Sequence, residues 1–421
     1  MIKHYKFGFA RVLVNSENGE IRYFAKDIDE EKKYEVFLYQ DRYFHSPCEE
    51  LIYTQDSYEK VTLSLNLTTR CNLSCKYCFM DHKKGCQVTD YPKLKELIEQ
   101  FVIRNKDKRK VFIDLSGSGE PLLRLNYILE LARFAKSLKE KYKVEVVVQF
   151  VTNGTLLTSK VVKQLQSNAI LFGVSLDGLK ENHDKNRVTV SGHGTYDMIA
   201  SNMAKIEEKR FLGSAMVIDG KFSSKLVECY ENMKSLSSTV SIKFKRAETI
   251  DEYKNNFDYI IGEYFDLVLH LLKQISNDDY SLLHSILSGD DSFGTMLSRV
   301  FIDNKVFARC DAGLGRLSYD TKLKLYPCAP ASAIKEFEGI EGLSNFVEVQ
   351  EEDYCGDCEC RYYCGGECPI VKYQLKSNDI YLCKIKRKLF EYALFFKSYC
   401  LMRKKDSVSK ITDFIINKET I

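Results

Sequence analysis

The chain has 421 residues, of which 44% are hydrophobic and 29% are charged, and this balance excludes an intrinsically disordered protein. Lys and Arg number 62 against 59 Asp and Glu, a formal net charge of +3, so overall charge indicates no nucleic-acid partner. No apolar run reaches the roughly 18 residues of a membrane span, and the first residues lack the apolar core of a secretory signal, so we expect a cytoplasmic protein without membrane association.

Residues 1–60 have the features of a small β-rich module. Short runs of β-forming residues occupy positions 9–14 and 34–39, and the sequence Asn-Ser-Glu-Asn-Gly at 15–19 predicts a turn after the first run. A different pattern begins at residue 61, so we take residue 60 as the end of this module.

Residues 61–250 alternate between strand and helix patterns. Apolar residues at helical spacing, such as Leu125, Ile128 and Leu129, separate short apolar runs. The alternation predicts an α/β fold in which parallel strands are joined by helical crossovers, with functional residues at the carboxyl ends of the strands. The predicted strands are 61–67, 111–115, 144–152, 170–176, 211–218 and 240–244. The predicted helices are 91–104, 125–142, 159–166, 196–209 and 221–236.

The sequence pattern changes twice after residue 250, from helical to cysteine-rich and then back to helical. Residues 251–300 are predicted to form a mostly helical bridge. Residues 301–400 are rich in turns and cysteines up to about 385 and show little apolar periodicity, and helical spacing resumes at 381–404. A segment with so little apolar material has no adequate core of its own, so we expect it to need metal to fold.

The chain contains 15 cysteines, an odd number that cannot pair completely. In a large cytosolic protein, clustered cysteines indicate metal ligands or catalytic groups rather than disulfides. Cys71, Cys75 and Cys78 follow the first predicted strand of the α/β region in the sequence TTRCNLSCKYCFM. Three thiolates in so short a loop can hold one four-iron cluster and leave one iron open for chemistry, whereas structural zinc prefers four protein ligands. Zinc, with His82 or Cys86 as a further ligand, stays open as the other interpretation.

The C-x3-C-x2-C loop resembles that of the radical S-adenosylmethionine (SAM) enzymes. The resemblance implies a partial (β/α)6 TIM-like barrel, a 4Fe–4S cluster on the three cysteines, and S-adenosyl-L-methionine bound at the open iron. In that family the reduced cluster splits the sulfonium and yields a 5′-deoxyadenosyl radical, which removes a hydrogen atom from the substrate.

Four further residues match cofactor-binding positions of that family. Glu120, in the sequence Ser-Gly-Ser-Gly-Glu-Pro, would accept a hydrogen bond from the methionine ammonium, although Ser118 stands where the family usually has glycine. Ser175 would contact the ribose or methionine, Arg187 the cofactor carboxylate, and Tyr77 the adenine. Three of the four have an ordinary alternative: Glu120 as a helix-start carboxylate, Arg187 as a surface arginine and Tyr77 as a packed tyrosine. Asp177, near Ser175, is expected to brace a turn.

A second set of cysteines resembles the SPASM extension of the same enzymes, which carries two auxiliary 4Fe–4S clusters. By that resemblance, Cys355, Cys358, Cys364 and Cys383 would hold an outer cluster, and Cys310, Cys328 and Cys368 an inner one, for three clusters in all. Zinc ribbons are the alternative for closely spaced cysteine pairs. Leu323 replaces the glycine usual at five residues before Cys328.

The two auxiliary clusters need eight ligands, and seven match. Sulfatase-maturing members of the family supply the eighth from a position that is Asn304 in this chain. Two options stay open. Another cysteine completes the inner site, or a substrate thiolate binds the open iron, and we lean to the second. The candidate cysteines are Cys360, Cys86, Cys48 and Cys229.

The resemblance also reduces the number of candidate reactions and candidate partners. Sulfatase-maturing members have an aspartate base directly after the residue matching Cys328, and this chain has Ala329, which cannot transfer a proton. We therefore rank thioether or other crosslinking of a ribosomally made peptide above formylglycine formation. The expected partners are a peptide or small protein, with a cysteine-containing peptide as one candidate, and an electron donor such as flavodoxin or ferredoxin. The alternative outside catalysis is a zinc-stabilised peptide-binding protein.

Two regions are candidates for holding the peptide. Residues 1–60 either dock a leader peptide by strand addition or form a lid on the barrel, and we favour the lid slightly. The basic runs at 104–110 and 384–388 would attract an acidic leader, but most such runs are solvated faces, which is what we expect here.

Overall fold

The computed structural model describes residues 2–26, 58–80, 88–306, 309–340 and 355–420. The strand predicted at 34–39 lies outside these residues, as do Cys48, His82 and Cys86. Within the described part of the chain, no helix is long and apolar enough to cross a membrane.

A three-stranded antiparallel sheet begins the chain, with β1 (Ile2–Lys6), β2 (Ala10–Asn15) and β3 (Ile21–Ala25) in the order β1-β2-β3. The turn predicted at 15–19 is present, and the Gly19 amide donates to the Asn15 carbonyl at 2.8 Å. Gly19 has φ +71°, and a Cβ there would come within 2.8 Å of the Tyr362 ring. Glycine is therefore required both for this turn and for the approach of the C-terminal region.

The predicted α/β fold is confirmed by a second, eight-stranded sheet. Its strands β4 to β9 are parallel, and each pairs with the next in chain order. Leu63 pairs with Ile113, which pairs with Val148, so one buried apolar layer crosses three strands. The order and direction match a partial TIM-like barrel. The six strands are β4 (Lys60–Leu65), β5 (Lys110–Asp114), β6 (Glu145–Thr152), β7 (Leu171–Ser175), β8 (Leu212–Ile218) and β9 (Thr239–Phe244).

Helices connect these strands, and two of them begin at a side-chain cap. The Asp90 side chain accepts from the Lys93 amide at the start of α1, and Thr158 does the same for Val161 at the start of α3. Predicted helices 91–104 and 125–142 match their observed bounds. The barrel helices are α1 (Tyr91–Arg104), α2 (Leu125–Tyr142), α3 (Ser159–Ser167), α4 (Lys180–Asn186), α5 (Tyr196–Ala204) and α6 (Leu226–Leu236).

Two short strands extend the barrel sheet from the cysteine-rich region. β10 (Arg316–Tyr319) pairs in parallel with β4, and β11 (Leu325–Tyr326) pairs antiparallel with β10. The long α12 packs against α7 and α9 and also contacts β2. The remaining helices are α7 (Phe257–Ser276), α8 (Ser281–Ser288), α9 (Ser292–Ile302), α10 (Arg361–Cys364), α11 (Pro369–Leu375), α12 (Ile380–Arg403) and α13 (Lys405–Thr420).

Candidate functional site

The loop that carries Cys71, Cys75 and Cys78 lies at the carboxyl edge of the barrel, directly after β4. Its backbone is held by the segment that follows α4: the Ser74 amide donates to the Val188 carbonyl at 2.8 Å, and the Lys76 amide donates to the Asn186 carbonyl at 3.0 Å. The loop therefore has a fixed position without any help from a bound group.

The three sulfurs of this loop lie close together. Burial raises the pKa of Cys71, and burial raises the pKa of Cys75 to about 11, with the neighbouring thiols adding to both shifts. The Cys71 sulfur accepts hydrogen bonds from the Leu73 amide at 3.5 Å and from the Asn153 side-chain amide at 3.9 Å. Donors aimed at a sulfur stabilise a thiolate, which is the form that binds metal.

Glu120 belongs to the loop after β5, is buried beside the cysteine loop, and lies against the carboxyl end of β6. Its carboxylate accepts from the Thr152 hydroxyl at 2.6 Å, the Asn153 amide at 2.8 Å and the Leu122 amide at 3.0 Å. The last contact caps the turn that starts at Pro121, so the helix-start alternative is part of its role. Burial raises its pKa, and these neutral donors lower it. No cation in the described part of the chain pairs with Glu120.

Ser118 fits the loop before Glu120 although glycine was expected there. Its hydroxyl donates to the Thr68 carbonyl at 3.1 Å, and the side chain is buried. The neighbouring Gly119 has φ +64°, and a Cβ there would come within 2.5 Å of the carbonyls of Arg70 and Thr68. The strict steric requirement of this loop therefore falls on Gly119.

Arg187, Tyr77 and Asp177 form one buried group next to the cysteine loop. The Arg187 Nε donates to the Asp177 carboxylate at 2.9 Å, and the Tyr77 hydroxyl donates to the same oxygen. The Arg187 guanidinium lies 5.2 Å from the centre of the Tyr77 ring. Asp177 also accepts from the Val217 amide at 3.1 Å, which is the bracing role expected for it.

The alternative that Arg187 is a surface arginine is wrong, because only 8% of the residue is exposed. Its two terminal nitrogens make no hydrogen bond to any described residue and remain available for an anion. Ser175 is half-buried at the carboxyl end of β7, on the same edge of the sheet.

The structure brings Cys310, Cys328 and Cys368 together as an inner cysteine group. Burial raises the pKa of Cys310, and burial raises the pKa of Cys328 to about 11, with Cys368 adding to both shifts. Arg246, which the sequence reasoning missed, interacts electrostatically with all three thiols. Arg246 belongs to no motif, so only the folded chain reveals its position.

The other cysteines of the second set surround one cavity of about 180 Å³. Arg361, Lys386 and Arg387 supply positive charge at its wall. A hydrogen bond from Cys360, together with the positive charges of Lys386 and Arg309, lowers the pKa of Cys364 to about 5. We call this the outer cysteine group, and its five thiols are those of Cys355, Cys358, Cys360, Cys364 and Cys383.

Two of the candidates for the missing eighth ligand, Cys360 and Cys229, are described, and neither lies in the inner group. Cys360 lies in the outer group, with its sulfur 3.5 Å from that of Cys358. Cys229 is buried in α6, and a Cβ at Gly178 would come within 2.4 Å of its sulfur. Among the described cysteines, the inner group therefore has three members.

Ala329 and Leu323 flank Cys328 in ways that bear on function. Ala329 begins a short helical turn, and its Cβ lies near Gly117 in the loop after β5. It brings no titratable group to this edge. Leu323 has φ +61°, a left-handed conformation that glycine adopts more easily, which accounts for the glycine expected at this position.

The N-terminal sheet docks on the cysteine-rich region. The Tyr5 hydroxyl donates to Glu359 at 3.2 Å, and the Tyr362 and Tyr363 hydroxyls donate to carbonyls in the turn between β2 and β3. Phe7 packs edge-on against Phe395 of α12. These contacts do not support the prediction that the described strands form a lid on the barrel. Residues 27–57 lie outside the described part of the chain.

The basic run at 384–388 is not a simple solvated face. Lys386 pairs with Glu367 at 3.2 Å, and both side chains are buried. The Arg387 Nη2 donates to both carboxylate oxygens of Glu359, at 2.9 and 3.0 Å, while its side chain stays exposed. The expectation of a solvated run is therefore wrong for Lys386, which is buried against a carboxylate.

No set of three or more His, Cys, Asp or Glu side chains within the described ranges has the geometry of a preformed metal site. The cysteines are gathered in three groups without closing on a single ion. Donors on Cys71, the sulfur-lined cavity of the outer group and the cations near both C-terminal groups fit sulfur-ligated clusters, which need more space than one ion.

Comparison with known proteins places these groups in a family. Residues 65–230 match the model of the Radical SAM superfamily. The chain is 31% identical over 362 residues to a cysteine-type anaerobic sulfatase-maturating enzyme of Clostridium perfringens, an alignment that spans 77% of this chain and 93% of that protein. Three of the other relatives match over less than half of their own length.

Solved structures agree on the fold. Native anSMEcpe with bound AdoMet and Kp18Cys peptide superposes with a TM-score of 0.63 at 18% identity, covering 84% of this chain and 99% of that one. SuiB of Streptococcus suis bound to its precursor peptide SuiA superposes with a TM-score of 0.51 at 14% identity, covering 89% of this chain and 96% of that one. The chain thus belongs to the radical SAM superfamily and is an enzyme of that type, related to the anaerobic sulfatase-maturating enzymes.

Proposed function

We propose that this enzyme cleaves S-adenosylmethionine reductively and uses the 5′-deoxyadenosyl radical to form a thioether or other crosslink in a ribosomally made peptide. The observation that carries the proposal is the grouping of Cys71, Cys75 and Cys78 between a buried carboxylate, Glu120, and a buried guanidinium, Arg187. An amino acid cofactor needs this arrangement, since its ammonium and carboxylate seek partners of opposite charge.

Each residue has a separate task in this proposal. Glu120 lacks a cation among the described residues and would receive the cofactor ammonium. The terminal nitrogens of Arg187 would bind the carboxylate while its Nε stays on Asp177. Tyr77 would lie along the adenine and Ser175 would contact the ribose or methionine. When bound, the 4Fe–4S cluster supplies the electron, and S-adenosylmethionine supplies the radical.

The two C-terminal cysteine groups would hold two auxiliary 4Fe–4S clusters. The outer group offers five thiols for four positions, with Cys360 as the extra one. The inner group offers three, so one iron would remain open to a substrate thiolate. An open position is the feature that distinguishes reactive metal sites from structural ones.

The substrate assignment rests on relatives and on the edges of the N-terminal sheet. SuiB and anSMEcpe have been solved with peptides bound. In this chain, β1 and β3 form the edges of the N-terminal sheet, and a leader peptide would add to one of them as a further strand. A flavodoxin or ferredoxin would supply electrons.

Formylglycine formation is the second candidate, favoured by the similarity to the Clostridium perfringens enzyme. It ranks lower because Ala329 stands where the sulfatase-maturing members have an aspartate base. Mass spectrometry separates the two outcomes, since a crosslink keeps the cysteine sulfur and loses hydrogen, whereas formylglycine made from cysteine loses the sulfur.

The test of the radical chemistry needs no peptide. Protein reconstituted without oxygen is incubated with dithionite and S-adenosylmethionine, and 5′-deoxyadenosine is measured. We expect product from the native chain and background from Cys75→Ala. Cys400→Ala is the matched control, because Cys400 is fully buried in α12 away from the three groups, and it should retain the activity.

Iron and acid-labile sulfide are counted in the same samples. About twelve irons per chain are expected for three four-iron clusters. Zinc without sulfide in the native protein, or equal deoxyadenosine from Cys75→Ala and the native chain, would contradict the proposal.

A further inference from the structure

Arg246 lies two residues beyond β9, at the carboxyl edge of the barrel. Its guanidinium carbon lies 4.7 Å from the centre of the Phe79 ring. Phe79 directly follows Cys78 and is 47% exposed. Arg246 therefore lies against the first cysteine loop while belonging to a different part of the barrel.

The same guanidinium faces the inner cysteine group. Its electrostatic neighbours are the thiols of Cys368, Cys328 and Cys310. No described carboxylate pairs with it, and it makes no hydrogen bond to a described residue. Nearby arginines differ: Arg316 pairs with Asp311 at 3.1 Å, and Arg309 lies beside Glu367.

The lack of a counter-ion has an energetic consequence. Arg246 is half-buried, so its charge is partly removed from water. A charge withdrawn from water without a partner is costly, so an anion is expected opposite Arg246 in the working enzyme.

We propose that Arg246 is the counter-charge of the inner cysteine group and raises the reduction potential of the iron–sulfur cluster held there. This inference rests on the inner cluster of the proposed function. Three thiolates and a cluster would bring net negative charge to the position that Arg246 faces. Reduction of the cluster by one electron adds one further negative charge. A fixed cation stabilises the reduced form more than the oxidised form, and the stacking on Phe79 holds the guanidinium in place.

The test compares Arg246→Gln and Arg246→Lys with the native chain in oxygen-free reductive titrations followed by electron paramagnetic resonance. Cys328→Ala identifies the signal of the inner cluster by its loss. Arg210→Gln is the matched control, because Arg210 also stacks on an aromatic ring, Phe211, at 4.6 Å but is exposed and pairs with Glu208.

We expect Arg246→Gln to move the midpoint of the inner signal to more negative potential and to leave the other signals in place. Arg246→Lys should move it less, because lysine keeps the charge but loses the planar stacking. Arg210→Gln should change nothing. Loss of the inner iron in Arg246→Gln with its retention in Arg246→Lys also supports the proposal, since the charge is then needed for assembly.

An inner midpoint that is the same in native protein and both Arg246 variants overturns the inference. A shift of all signals by the same amount overturns it too, because that indicates a global change. Deoxyadenosine is measured in the same samples. If native protein yields no deoxyadenosine, the proposed radical chemistry is contradicted. The potentials of the Arg246 variants are still compared in that case, so the inference about Arg246 is tested separately.

Discussion

The barrel and the cysteine-rich region are stabilised by different means. In the barrel, neighbouring strands bury matched apolar residues such as Leu63, Ile113 and Val148. Residues 309–340 and 368–373 contribute only a small separate cluster of buried residues: Ala312, Tyr326, Ala331, Phe337 and Ile370. The contrast indicates that apolar burial suffices for the barrel, whereas the cysteine-rich region depends on what its thiols bind.

The largest expected effect follows from removing the metal. In oxygen-free protein stripped by a chelator, we expect amide hydrogen exchange to rise strongly in 309–340 and 355–383, the segments that carry the C-terminal cysteine groups. The strands β4 to β9 should keep their protection. Hydrogen exchange with mass spectrometry gives the comparison, with reconstituted protein as the control. Equal loss of protection in β4 to β9 would show that the barrel is not self-sufficient.

A smaller effect probes the barrel alone. Burial lowers the pKa of His183 to about 4, and its Nδ1 accepts from the Asp177 amide at 3.2 Å. The folded protein thus holds a neutral imidazole, while the unfolded chain binds a proton below its ordinary pKa of about 6.5. This contribution to stability is full above that pH and is lost as the pH falls towards 4.

Between pH 7 and pH 5 the loss should be about 2 kcal/mol in the free energy of unfolding, and His183→Gln should remove this part of the pH dependence. Urea unfolding at both pH values measures it. If the barrel is independent of the metal, stripped and reconstituted proteins should show the same dependence. If this pH dependence of the free energy of unfolding is seen only in reconstituted protein, the barrel also depends on the metal, and the contrast with the cysteine-rich region fails.

The smallest effect concerns the junction with the N-terminal sheet. Tyr5→Phe removes the hydrogen bond to Glu359 and should cost about 1 kcal/mol in reconstituted protein. In stripped protein, where Glu359 belongs to a loosened segment, the cost should fall towards zero. Urea unfolding with and without metal gives both values. An equal cost in the two states would mean that this junction keeps its structure without metal.

The sequence predicted the barrel well, because its strands and helices carry their own periodicity. The strand predicted at 61–67 is β4 (Lys60–Leu65), and helices 91–104 and 125–142 match exactly. Strands β10 and β11 were not predicted, since four and two residues give no pattern and their pairing with the barrel forms them. Helices α4 and α13 were likewise missed.

The candidate site divides in the same way. The cysteine groups follow from spacing and resemblance, and the structure gathers them as expected, while their role as ligands stays a prediction. Arg246 carries no local signal, since its importance comes from residues 79, 310, 328 and 368, which are far away in the chain. The position of Cys360 also needed the fold, because its neighbours in sequence belong to both groups.

The pairing of β10 with β4 has a mechanical consequence. Arg316–Tyr319 runs beside the strand that leads into the first cysteine loop, and Cys328 follows two residues after β11. Adjacent strands are separated by about 4.8 Å and cannot slide without breaking their ladder. The gap between the first cysteine loop and the inner cysteines is therefore set by main-chain pairing, and a hinge motion between the two regions cannot adjust it.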